Sequence, residues 1–146
     1  MDPFSGSSDW NSILQLLKSE DEMDIYSGAM TLRDSLQYAQ ENQMHGFMTE
    51  QFMDILVKIV NRDMMSELGL EVKFFAIQAL TTIMDIFPSL VNSLVNAGLV
   101  KGMTSVMQQS VGFTELSEAC IKCLEKVVQE NPPAVLKSGA IAVVLD

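Results

Sequence analysis

Trp10–Asn11–Ser12–Ile13–Leu14–Gln15–Leu16–Leu17 decides the fold, because it recurs as Phe52–Met53–Asp54–Ile55–Leu56–Val57–Lys58–Ile59. An aromatic residue opens each copy, and Ile and Leu follow three and four positions later. That spacing puts the apolar side chains on one face of a helix. Leu99 opens a third copy and Ile141 a fourth, at intervals of 42, 47 and 42 residues. A helical unit recurring every 40–47 residues or so is the mark of armadillo and HEAT solenoids. Alternating strand patterns and Asn-Gly or Asp-Gly hairpin turns are missing from the sequence.

The segments between these copies complete the unit. A short helix over Ser89–Ala97 leads through Gly98 into Leu99–Gln109, and a long helix follows from Thr114 to about Glu130. Ser138–Gly139–Ala140 repeats the glycine entry into Ile141, and Pro133 fits the first turn of the short helix before it. Short helix, glycine, second helix, loop, long third helix is the armadillo order. HEAT repeats, with two helices each, are the structural alternative. The long helices share a small–x–x–small–Leu pattern: Ala76, Ala79 and Leu80 in one copy, Cys120, Cys123 and Leu124 in the next.

Boundaries follow from caps and breakers. Ser8 or Asp9 is placed to cap the first helix. The acidic run Glu20, Asp21, Glu22 and Asp24 reads as a solvated link into a helix N-terminus, where the helix dipole favours negative charge. The second helix is expected over about Asp24–Ala39 and the third over about Thr49–Arg62. Asp63–Leu70, with its Gly69, reads as a loop or short turn. The long helix is then expected over about Glu71–Phe87, where Pro88 stops it. Residues 1–8 are read as a flexible lead-in, native or added, and residues 9–146 as one armadillo-like repeat domain. Its last helix is cut about two turns in. The chain therefore reads as about three repeats of a longer array, truncated in a fourth, whose open final face is expected to self-associate.

Composition limits the function. The chain has 146 residues, 48% apolar and 19% charged, as expected for a globular domain. Its net charge of −10 opposes binding to nucleic acid or to an anionic membrane and favours a basic protein partner. Apolar runs are too short to span a membrane. The two cysteines do not make a disulfide framework, which points to the cytoplasm or nucleus.

Chemistry-bearing motifs are weak. Cys120–Ile121–Lys122–Cys123 is a C-x-x-C, but a redox pair belongs at a helix N-terminus and a zinc site needs about four ligands. This pair falls mid-helix, and His45 is the lone histidine. Both cysteines read as small core residues, and His45 as a polar linker residue beside Gly46. No metal, cofactor or catalytic group is expected, so the chain reads as a binding scaffold and not an enzyme. In armadillo folds the third helices line a groove. The groove-facing candidates are Thr31 and Ser35, Gln78 and Thr82, and Lys122 and Lys126. None is the tryptophan or asparagine that importin-type proteins place there for basic nuclear signals.

The order of these pieces resembles a particular family. Trp10 to Leu36, Glu41–Asn42–Gln43–Met44–His45–Gly46–Phe47 leading into Phe52–Val60, and Ala79–Leu80–Thr81–Thr82–Ile83–Met84 before Phe87–Pro88 are similar to the N-terminal repeats of HECT-type ubiquitin ligases of the ubiquitin-fusion-degradation and thyroid-receptor-interactor class. The resemblance implies a substrate-recognition segment, with the catalytic cysteine in a distant HECT domain. The alternative is a general armadillo adaptor for signalling, cytoskeletal or transport assembly.

Overall fold

The computed structural model describes residues 7–38, 49–62, 66–109 and 112–130. Among these residues every regular element is helical: α1 (Ser7–Leu17), α2 (Glu22–Tyr38), α3 (Thr49–Asn61), α4 (Glu67–Ile86), α5 (Val91–Asn96), α6 (Leu99–Gln109) and α7 (Thr114–Glu130), with a 3-10 turn over Pro88–Leu90 before α5. The chain is an all-α helical repeat. The expectations for His45, for Pro133 and for the fourth copy with its self-associating face lie outside the described residues.

The helices stack in two layers. In one layer α3 packs against α1 and α6; in the other α4 packs against α2 and α7. Each layer is built from equivalent positions of successive repeats. Trp10 and Phe52, the opening residues of the first two copies, meet edge to face with ring centroids 6.3 Å apart. Such a pair adds about 0.5–1.5 kcal/mol beyond the area it buries. Ile13, Leu14 and Leu17 on α1, Leu56, Ile59 and Val60 on α3, and Leu99, Met103 and Val106 on α6 are all buried, as the 3.6-residue period requires.

Caps fix where the long helices begin. α2 starts after Asp21, whose Oδ1 accepts a hydrogen bond from the Met23 backbone N–H at 2.9 Å. The acidic link is therefore capping structure. α4 begins four residues earlier than the sequence pattern places it. Ser66 is its N-cap and accepts from the Gly69 N–H at 3.0 Å, and Glu67 stands in the first turn. This cap carries the helix through Gly69, a residue that otherwise reads as a breaker. The Ser66 hydroxyl also donates to Glu22 at 3.2 Å, tying the starts of α2 and α4 together. α1 likewise begins at Ser7, inside the expected lead-in. α6 and α7 begin and end where the sequence places them, and α3 ends one residue earlier.

Two glycines set geometry. Gly98 turns the chain from α5 into α6 with φ of +102°, a conformation that costs a side-chain-bearing residue strain. Its carbonyl accepts from Asn61 Nδ2 at 3.4 Å. Gly102 sits where α6 meets α3: a Cβ there falls 2.8 Å from Val60 Cγ1 and 3.0 Å from the Asn61 side-chain amide. Gly102→Ala must displace the Val60 and Asn61 side chains at this contact. The expected result is a loss of about 1–3 kcal/mol of stability, read as a lower urea midpoint with the helical circular dichroism of the folded state retained.

Candidate functional site

α4 and α7 run side by side. Cys120 and Cys123 of α7 are fully buried, and the Cys123 thiol lies beside the Thr81 hydroxyl of α4. Toward the N-terminal half of α7 the helices enclose a recess of about 270 Å³. Phe74, Gln78, Thr81 and Thr82 of α4 form one wall; Glu115, Glu118, Ala119 and Lys122 of α7 form the other; Arg33 reaches in from α2.

The hydrogen bonds in this recess have a consistent direction. Thr82 Oγ1 donates to the Gln78 carbonyl at 3.1 Å, and Thr81 Oγ1 donates to the Ile77 carbonyl at 2.9 Å. Both hydroxyl protons thus serve the helix's own backbone. Arg33 is held on three sides. It pairs with Asp34 at 2.8 Å, its Nη1 donates to Gln78 Oε1 at 3.5 Å, and its guanidinium lies 4.4 Å from the centre of the Phe75 ring. A cation over an aromatic face is attracted by the ring's quadrupole. Phe74 packs against Phe75 and Phe113, with ring centroids 5.6 and 6.0 Å away.

Of the six groove candidates, Gln78, Thr82 and Lys122 share this recess. The other three lie apart from it. Thr31 is half-buried on α2 and donates to the Ser27 carbonyl at 2.7 Å. Ser35 is largely buried, at 9% exposure. Lys126 forms an ion pair with Asp85 of α4, one turn or more past the recess, and borders a second hollow of about 180 Å³ with Met84, Pro88 and Gln129. Sequence reasoning did not single out Phe74, Thr81, Glu115 or Glu118. Their signal is helical: Phe74 stands four residues before Gln78, and Glu118 four before Lys122, on the same faces. Arg33 gives no periodic signal, because its long side chain reaches across from the neighbouring helix.

The cysteine pair belongs to packing. Burial pushes the Cys120 thiol up to about 12, and proximity to Cys123 adds to the rise. Burial likewise pushes Cys123 up to about 12, partly offset by the Thr81 hydroxyl beside it. Both are free thiols, and neither is an activated nucleophile at neutral pH. Among the described residues no group of three or more His, Cys, Asp or Glu side chains is placed to hold a metal ion. No single helix among them is long and apolar enough to cross a membrane.

A family model described as E3 ubiquitin-protein ligase TRIP12-like, TPR repeats, matches residues 4–137. The chain is 29% identical over 134 residues to the E3 ubiquitin-protein ligase UPL3 of Arabidopsis thaliana, covering 91% of this chain and 7% of that protein. It is 26% identical over 133 residues to UPL4 of the same plant, covering 91% of this chain and 8% of that protein. The chain thus spans less than a tenth of the length of these curated relatives. No solved structure matches it.

The raised thiols give a pH signature. The folded chain keeps both protons to about pH 12, whereas an unfolded chain releases them near the ordinary value of 9.0. The unfolded state binds fewer protons in that window, so stability falls as pH rises through it. At one unit above the ordinary value the loss is about 1 kcal/mol per thiol. Urea midpoints at pH 7 and pH 10 should therefore drop further for the natural chain than for Cys120→Ala/Cys123→Ala, in which this linkage is gone.

Proposed function

The chain belongs to the TRIP12-like E3 ubiquitin-protein ligase family, within its TPR-repeat region, and from that premise we propose that it captures protein substrates for a HECT-type ubiquitin ligase. The resemblance to the N-terminal repeats of such ligases rests on this family match and on two curated relatives that are themselves ubiquitin-protein ligases. The segment is the N-terminal repeat region and not the catalytic domain.

The observation that carries the reading is the recess between α4 and α7, where three polar positions on equivalent helices of successive repeats converge. A solenoid's repeated helices offer an extended series of such positions, which suits a stretch of polypeptide more than a compact small molecule. The buried, unactivated cysteines support a segment whose work is binding. Net charge of −10 supports basic partners, through faster and more selective encounter.

Within this reading the repeat is of armadillo type. α5, α6 and α7 supply short, second and long helix in that order. The interval of 42–47 residues between copies exceeds the roughly 34 residues of a two-helix TPR unit. α1–α2 and α3–α4 then provide the second and long helices of the two preceding repeats.

Deleting residues 7–130 from the full-length ligase tests the function. The expected result is loss of substrate ubiquitination with ubiquitin thioester formation on the HECT cysteine unchanged. Unimpaired substrate modification by the deleted enzyme would refute substrate capture.

A further inference from the structure

We draw no further inference here: the strongest candidate, the half-buried aromatic surface patch in which the rings of Tyr26, Phe75, Phe74 and Phe113 run from α2 across α4 to the start of α7, carries nothing because nothing in the structure shows what covers it.

Discussion

Ala76 and Ala79 on α4 and Cys120 and Cys123 on α7 hold equivalent positions of successive repeats, and all four are withdrawn from solvent. Small side chains at these positions let each long helix lie close to its neighbours in the stack. A single helical pair of this kind has an apolar face on either side and cannot bury both by itself. Stacking the next pair against it is the solution, and the distance of that stacking is set where the side chains are smallest. The other layer uses both extremes of size. Gly102 leaves space for Val60 and Asn61, and the Trp10 and Phe52 rings fill the equivalent contact one repeat earlier. The superhelix follows from repeating these contacts.

Close packing at the core of the layer has a consequence at its surface. The recess opens where Phe74 and Thr81 of α4 face Glu118 and Ala119 of α7. The polar groups there are supported from behind. Threonine hydroxyls bind backbone carbonyls, and Arg33 braces α2 against α4 through Gln78 and the Phe75 ring. A surface organised in this way is ordered before a partner arrives, so less conformational entropy is lost on binding. The cysteines underneath carry no chemistry of their own. Their burial keeps them protonated, and their volume fits the interhelical seam.

The family match and the structure speak at different scales. The match assigns the chain to the repeat region of a ubiquitin ligase, a statement about the whole ancestral protein. The structure shows which side chains of this segment converge and in what polarity. In a solenoid such local clusters recur along one face, because each repeat contacts only its neighbours.

Periodicity alone determined the helices, their order and the repeat. Those features depend on which residues are apolar and on where proline and glycine interrupt them, and both are local properties of the sequence. The same pattern identified the small residues at the interhelical seam and the packing role of the cysteine pair. Gln78, Thr82 and Lys122, which it set on one face of the stack, share the recess. The pattern did not place the start of α4, where the Ser66 hydroxyl caps the Gly69 N–H and also reaches Glu22 of α2. Ser35 looks like Thr82 in sequence, yet tertiary packing buries it. Lys126 looks like Lys122, yet Asp85 across the seam claims it. The recess exists only between helices, and its lining depends on how far two backbones stand apart and on how far an arginine from a third can reach. Those distances belong to the packed structure, and no single helix encodes them.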